Sequence, residues 1–247
     1  MTHKDIPERI FISKTVFFPK QGILTIGDLH LGYDYMLRQS GVLIPEQQIK
    51  ETLEDIEHVF AKINSLGHEL RKIIFLGDIK HSFGFEFEER NGLREIIKFL
   101  KTRVSEENII FIKGNHDTMD YTIDRKMKPY HIEDNIAFLH GHRSFPEIFD
   151  KKIETVVIGH LHPSVVLEEN FGVKREVYKC FLEGKSQGKN FIVLPSFLGM
   201  VEGTPVNTYF ENYSESFAII SKKDIMKFEI FVVGENEVLD FGEIRNL

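Results

Sequence analysis

The sequence lacks tryptophan, contains a single cysteine and has no long apolar segment. The lone Cys180 excludes an intrachain disulfide. Together with eleven histidines it favours a reducing cytoplasm and a metal site built from nitrogen and oxygen ligands. The longest apolar stretch, residues 191–201, contains Pro195 and is too short to span a bilayer. Residues 1–9 are polar and carry no apolar signal-peptide core. We therefore expect a cytoplasmic protein without membrane attachment.

An excess of positive charge is also missing, because the net charge is −7. This argues against a protein that coats nucleic acid through bulk electrostatics, although a local basic groove stays compatible with it. The 247 residues, 42% of them hydrophobic, suit one compact domain over residues 1–247. Within it, we expect β-α-β units in residues 1–162 and a mostly antiparallel β part in residues 163–247.

Five short apolar runs are each followed by side chains that bind metal ions. The runs are residues 23–26, 73–76, 109–112, 136–139 and 155–158. The side chains that follow them, in the same order, are Asp28 and His30, Asp78, Asn115, His140, and His160 and His162. Short β-branched runs of this kind predict buried strands, and open α/β sheets place their sites at the carboxyl ends of strands. One such strand end is weak evidence, whereas five in order indicate a shared site.

Other segments give the order of the remaining elements. Residues 10–18 predict a strand or hairpin arm, and residues 31–41 predict a polar loop. An apolar stripe from Ile49 to Ile63 predicts a helix that begins at Pro45 and ends before Gly67. A second helix is expected over residues 87–101 and a short one over 146–152, with a polar, irregular, Lys- and Arg-rich stretch at 118–129. Strands are expected at 165–167, 177–182, 191–194, 217–220 and 228–233, with a hairpin turn at 234–236.

The motifs D-x-H, G-D, G-N-H-D, H-G-H and G-H-x-H, in this order, resemble those of the calcineurin-like metallophosphoesterases. Residues 27–32 and 37–45 most resemble the branch of the DNA-ligase-associated metallophosphoesterases and their archaeal relatives. The resemblance implies an α/β fold in which a two-sheet sandwich is flanked by helices, and an enzyme that hydrolyses phosphoric esters.

The seven nitrogen and oxygen ligands are too many for one ion and suit two ions that share a bridge. The resemblance makes Asp78 the bridging carboxylate. It implies that Asp28, His30, Asp78 and His162 hold one divalent ion, and that Asp78, Asn115, His140 and His160 hold the other. The ligand set favours manganese, with iron, cobalt, nickel or zinc as alternatives. In the H-G-H motif either ring could bind the metal, and the family pattern favours His140 over His142.

Three further residues are candidates for catalysis and two for substrate binding. His116 matches the family's proton donor to the leaving group. Asp117 either orients that ring or only caps the loop. His81 matches a position that holds the phosphoryl group in the nuclease-like branches, which favours diesters. Arg38 and Arg143 lie near the motifs and are either phosphate ligands or ordinary solvated arginines.

These patterns predict a phosphodiesterase or nuclease that uses in-line attack by a hydroxide bridging two metal ions. A phosphomonoesterase is the alternative within the same chemistry. A non-catalytic metal-binding scaffold of a protein complex, like the retromer subunit of similar fold, is the alternative from another class. The expected partner is a phosphate ester, nucleic acid or a nucleotide among them, and the sequence names no protein partner.

Overall fold

The computed structural model of the chain describes residues 6–81, 87–117, 121–122, 125–169, 174–208 and 218–247. Four α-helices lie among them: α1 Tyr33–Gln39, α2 Gln48–Ser65, α3 Phe87–Leu100 and α4 Lys222–Ile225. Two sheets and a short ribbon are built from β1 Ile10–Ile12, β2 Thr15–Phe18, β3 Ile23–Ile26, β4 Lys72–Phe75, β5 Ile109–Phe111, β6 Tyr121–Thr122, β7 Arg125–Lys126, β8 Tyr130–Glu133, β9 Ile136–Leu139, β10 Thr155–Ile158, β11 Pro163–Glu169, β12 Lys174–Ser186, β13 Lys189–Val193, β14 Thr204–Pro205, β15 Glu229–Val233 and β16 Val238–Glu243.

The first sheet has five strands in the order β1-β2-β3-β4-β5. The strands β1 and β2 form an antiparallel hairpin, β2 also pairs antiparallel with β3, and β3, β4 and β5 run parallel to one another. The connection from β3 to β4 carries α2, and the connection from β4 to β5 carries α3, as parallel neighbours require. The carboxyl ends of β3, β4 and β5 therefore lie side by side at one edge.

The second sheet has nine strands along the order β14-β11-β12-β13-β10-β9-β8, with β15 and β16 added through β12. Its strands β9, β10 and β13 are parallel, whereas β11, β12, β15 and β16 pair antiparallel. After residue 162 the pairs β11–β12, β12–β13, β12–β15 and β15–β16 are antiparallel, whereas β13 pairs in parallel with β10 and β14 pairs in parallel with β11.

Alternation of side chains along the strands produces three apolar layers. One face of the first sheet packs against α2 and α3, through residues that include Leu24, Ile26, Ile73, Phe75, Ile56 and Leu93. The opposite face packs against the second sheet, through residues that include Ile23, Ile74, Leu76, Phe138, Val157 and Phe181. The outer face of the second sheet is covered by α4 and short irregular segments, through residues that include Ile148, Ile225 and Ile244. The predicted two-sheet sandwich flanked by helices is confirmed, although the outer face of the second sheet is covered by only one short helix and irregular segments.

Several elements depart from the predictions made from the sequence. The segment expected to be a polar loop after His30 contains α1, which follows Gly32 at a φ of 89° and carries Asp34 in its first turn. The helix α2 begins at Gln48 rather than at Pro45. Of the strand expected at 217–220, the described residues 218–220 are bends that lead into α4, whose first turn is capped by the Ser221 side chain. The helix α3 and the turn at 234–236 are confirmed, whereas residues 10–18, predicted as one strand or hairpin arm, form the two strands β1 and β2 of a hairpin.

Among the described residues, none of the helices combines the length and apolar character that a membrane crossing would need.

Candidate metal centre

The seven predicted metal ligands lie together where the two sheets meet. In the first sheet, Asp28 and His30 follow β3, Asp78 follows β4 and Asn115 follows β5; in the second, His140 follows β9, and His160 and His162 follow β10. Parallel strands bring their carboxyl ends to one edge, so residues far apart in sequence become neighbours.

One group of donor atoms belongs to Asp28, His30 and His162. The Nε2 atom of His162 lies 3.1 Å from Oδ1 of Asp28 and 3.4 Å from Nε2 of His30. The donor atoms of all three residues lie within 4.8 Å of one another. Two imidazole nitrogens and a carboxylate oxygen therefore face one point between the sheets.

The second group surrounds Nε2 of His140. This atom lies 2.9 Å from Oδ1 of Asn115, 3.1 Å from Nδ1 of His160 and 3.4 Å from Oδ2 of Asp78. The other ring nitrogen, Nδ1, lies 3.1 Å from the Leu76 carbonyl oxygen and donates to it. In the neutral ring that hydrogen bond fixes the tautomer and leaves a lone pair on Nε2, which is the arrangement of a metal-binding histidine.

The Asp78 carboxylate lies between the two groups. Its Oδ2 atom is 3.9 Å from Nε2 of His30 in the first group and 3.4 Å from Nε2 of His140 in the second. Its Oδ1 atom accepts a hydrogen bond of 2.8 Å from the His116 backbone N–H. Acceptor atoms at these distances repel one another unless a proton or a metal cation lies between them. The carboxylate, imidazole and amide donors suit divalent transition ions.

Burial and mutual charge perturb the pKa values of these groups. Burial opposes ionisation of Asp28, but the neighbouring His162 and His140 outweigh it and hold the pKa of this carboxyl far below its usual range. Burial and the nearby His162 lower the pKa of His30 to about 4. For His140 burial acts in the same downward direction, but Asp28 and Asp78 outweigh it and raise its pKa. The first group is thus an ionised carboxylate beside a neutral imidazole, which is the protonation that metal binding needs.

Four of the seven predicted ligands occupy the left-handed backbone region, where non-glycine residues are uncommon. Their φ values are 44° at His30, 46° at Asp78, 65° at His160 and 45° at His162. Such conformations cost free energy and occur at sites where the surrounding structure imposes them. The strand ends therefore turn sharply so that these side chains point into the cleft between the sheets.

Two of the three catalytic candidates, His116 and His81, lie beside His30 of the first group, whereas Asp117 lies near Asp78 and His140. The ring of His116 is 5.1 Å from that of His30, and its Nδ1 atom lies 3.1 Å from the His81 carbonyl oxygen. The His81 ring stacks 5.9 Å from the His116 ring, and burial together with His116 lowers its pKa. Asp117 accepts a hydrogen bond of 3.0 Å from the Gly114 N–H, and burial raises its pKa to about 6. The hydrogen bond between Asp117 and Gly114 holds the loop after β5, so a direct role of Asp117 in orienting His116 stays a prediction.

The remaining candidates occupy different places. Arg38 lies in α1 rather than in a loop and pairs with Glu46 at 3.1 Å. Arg143 is exposed, and its guanidinium lies 4.7 Å from the centre of the Phe145 ring. The His142 ring is 5.3 Å from the His140 ring, and His142 belongs to neither donor group described above.

Two residues that hold the site were not predicted from the sequence. Gln48 is buried and clamps the loop after β3, since its Nε2 atom donates to the His30 carbonyl at 2.9 Å and its Oε1 atom accepts from the Gly32 N–H at 3.0 Å. Ser196 donates from its hydroxyl to the Asp28 carbonyl at 3.0 Å. The burial of Gln48 could have been inferred, because it lies four and eight residues before the buried Thr52 and Ile56 on one helix face. Ser196 gave no comparable signal.

Comparison with known proteins places the fold. The model of the family described as "Calcineurin-like phosphoesterase" matches residues 22–201. Among solved structures, the nuclease MPE of Pseudomonas putida is 19% identical, with a TM-score of 0.57 and 92% of each chain covered. A zinc complex of Vps29 from Entamoeba histolytica is 15% identical, with a TM-score of 0.38, 89% of this chain covered and 99% of that one. A metallophosphoesterase from Sphaerobacter thermophilus is 14% identical, with a TM-score of 0.34, 90% of this chain covered and 88% of that one. No curated protein sequence matches significantly.

Proposed function

The chain belongs to the calcineurin-like phosphoesterase family and is a phosphoric ester hydrolase; from that premise, we propose that it is a phosphodiesterase acting on nucleic acid with two divalent metal ions. Manganese is our first choice of metal. We also propose that residues 1–247 form one domain, because the core between the sheets draws side chains from both parts of the chain, among them Ile74 and Phe181. The single, buried Cys180 is compatible with a reducing cytoplasm, which we propose as the location.

The observation that carries the binuclear proposal is the position of Asp78 between two groups of donors. The residues that would hold one ion are Asp28, His30, Asp78 and His162, and those that would hold the other are Asp78, Asn115, His140 and His160. Two divalent ions so held supply Lewis acidity, which neutralises charge on the phosphoryl oxygens and lowers the pKa of a water molecule.

His116 is the candidate for protonating the leaving oxygen. Its backbone N–H is anchored on Asp78, and a nitrogen of its ring lies within 4.8 Å of donor atoms of His30 and Asp78, outside the donors around His140. Its Nδ1 atom donates to the His81 carbonyl. In the imidazolium form the Nε2–H is then the proton available to the leaving group, and the Nδ1 hydrogen bond holds the ring in place as that proton leaves.

The preference for diesters is supported by His81. Its ring lies alongside His116 and 5.6 Å from His30, so it borders the place where the phosphoryl group would bind. A neutral imidazole there can donate to a non-bridging oxygen without bringing negative charge. The nuclease activity named for the Pseudomonas putida protein belongs to that protein, and at 19% identity the likeness is one of fold.

The test is a comparison of two esters under one manganese loading. We expect bis(p-nitrophenyl) phosphate to be hydrolysed faster than p-nitrophenyl phosphate, and single-stranded DNA to be cleaved. The reverse order by ten-fold or more, about 1.4 kcal/mol in barrier, would favour the phosphomonoesterase alternative. A metal-loaded protein that hydrolyses none of the three would overturn the proposal.

A further inference from the structure

A cavity of about 360 Å³ opens beside the metal centre and is lined by positive charge. Lys113, Lys126 and Arg143 line it, together with His142, and we call this cavity the basic cleft. Among its described lining residues none carries a carboxylate. The chain as a whole carries a net charge of −7, so this local excess of positive charge is not a consequence of composition.

The basic cleft is joined to the metal centre through the loop that follows β5. Gly114 lines the cleft and packs directly on Asp78, since a Cβ atom added to it would lie 2.1 Å from the Asp78 Oδ1 atom. The next residue is the predicted ligand Asn115. On the opposite wall, the His142 ring lies 5.3 Å from that of His140. An anion in the cleft would therefore lie next to the group bound at the metals.

The walls of the cleft are built on ordered backbone. Lys113 donates its N–H to the Lys128 carbonyl at 2.8 Å, which ties the segment after β7 to the end of β5. Lys126 lies at the end of the ribbon strand β7, is exposed, and makes no ion pair with any residue that the structure describes. The Arg143 guanidinium lies over the Phe145 ring, 4.7 Å from its centre, and both residues line the cleft.

Two further cavities, joined to the basic cleft through shared lining residues, also carry positively charged side chains. A second cavity of about 220 Å³ shares Lys126 and adds Lys128 and Arg125, and the carboxylates of Glu106 and Glu107 also line it. A third, of about 570 Å³, shares Arg125 and adds Arg94, Lys98 and Lys101. Glu106 pairs with both Arg125 and Lys101, so part of the positive charge of the two outer cavities is neutralised.

We propose that the basic cleft binds the phosphate next to the scissile one in a single-stranded polynucleotide, and that the strand continues along the two neighbouring cavities. This proposal rests on the proposed phosphodiesterase function. Lysine ammonium groups neutralise backbone phosphates, and a guanidinium stacked on an aromatic ring offers a platform for a base. A compact polyphosphate would occupy the basic cleft alone, whereas the positively charged residues are distributed over all three cavities.

The test uses the full chain as purified and a twelve-nucleotide oligothymidylate with phosphorothioate linkages, which keep their charge and resist hydrolysis. Binding is measured by fluorescence anisotropy at several salt concentrations, for Lys126→Glu and for the matched control Lys20→Glu. Lys20 is also exposed and lies in the turn before β3, at the end of the sheet opposite the metal centre. Both substitutions lower the net charge by two, so a difference between them reports position rather than total charge.

We expect Lys126→Glu to weaken binding ten-fold or more and Lys20→Glu to weaken it less than two-fold. The slope of log K against log salt should become shallower by about 0.7 for each phosphate that the protein no longer neutralises, which a merely structural effect would not produce. Trinucleotides should bind more weakly than the twelve-nucleotide strand, and inorganic tripolyphosphate should compete poorly. Equal binding by the two variants overturns the basic cleft, and competition by tripolyphosphate at equal phosphate concentration overturns the path of a strand along the three cavities.

Hydrolysis of bis(p-nitrophenyl) phosphate, measured on the same preparations, separates this proposal from the proposed function. If the diester is hydrolysed but the two variants bind the strand equally, the proposed role of the cleft is refuted and the proposed phosphodiesterase function is not. A protein that binds through Lys126 but hydrolyses neither the diester nor unmodified DNA refutes the proposed function, while the cleft keeps its support.

Discussion

Asp78→Asn is the substitution that most directly tests whether two ions share one carboxylate. The asparagine keeps the size of the side chain, and its amide oxygen can still accept the His116 N–H that Asp78 accepts at 2.8 Å. The amide nitrogen takes the place of Oδ2 and faces the Nε2 lone pairs of His30 and His140, to which it can donate. The fold should therefore persist while the negative charge between the two groups disappears.

The expected decrease in metal affinity can be bounded. Removing a residue that only orients a ligand already costs 10- to 100-fold in affinity. Removing a shared anionic ligand should cost at least 100-fold at each ion, or about 2.7 kcal/mol. After gel filtration in metal-free buffer, elemental analysis should find close to two ions per chain in the unaltered protein and few in Asp78→Asn. Chelation should lower the melting temperature of the former and hardly change that of the latter.

The matched control for this experiment is Asp34→Asn. Asp34 is also a buried aspartate near the centre, but it lies in α1 and accepts the Tyr35 N–H at 2.8 Å instead of facing the donor groups. We expect Asp34→Asn to retain both ions. An Asp78→Asn protein that keeps both ions, or loses only one, would refute the assignment of Asp78 as the shared ligand.

Three further predictions concern the proton donor, the loop after β5 and the core of the second sheet. His116→Ala should keep both ions and lose turnover by about 10²–10⁴ with an alkoxide leaving group, but little with p-nitrophenolate; an equal loss with both would mean that His116 positions phosphate instead. Gly114→Ala should lose metal, because its Cβ would lie 2.1 Å from Oδ1 of Asp78. The control Gly199→Ala, with no atom within 4 Å of its added Cβ, should leave the metal content unchanged. Equal metal contents in the two variants would contradict this prediction. Cys180 is fully buried, which raises its pKa, so it should react with Ellman's reagent only after unfolding, and rapid reaction of the native protein would show that the described core is wrong.

The parts of the fold that could be predicted are those with a clear apolar period. Each motif strand is a short run of mostly apolar residues, so its position followed from that run in the sequence. The helix α1 was missed because it has two turns, begins after a glycine and carries mostly polar or half-buried residues, so it shows no apolar stripe. The strand β8 is half-buried throughout and shows no alternation either. Both form because neighbouring segments support them, which a local pattern does not record.

The same distinction applies to the site. The ligand types followed from residues adjacent in sequence, whereas the two donor groups combine residues from both sheets. Asp28 and His162, at 3.1 Å, are separated by most of the motif-bearing part of the chain. The basic cleft is assembled from three separate segments that contain Lys113, Lys126 and Arg143, so the Lys- and Arg-rich composition of residues 118–129 indicated charge but not its place beside the metals.

The left-handed backbone at four ligand positions has a consequence for which substitutions the chain can tolerate. A β-branched residue at φ values of 44–65° would carry a strain on the order of 1–3 kcal/mol, whereas glycine and asparagine adopt this region easily. A library of variants sorted for abundance in cells should therefore retain glycine and asparagine at His30, Asp78, His160 and His162, and lose valine and isoleucine. The same library sorted for activity should retain the native side chains. Substitution by glycine or asparagine at these positions would therefore remove the chemistry while keeping the fold.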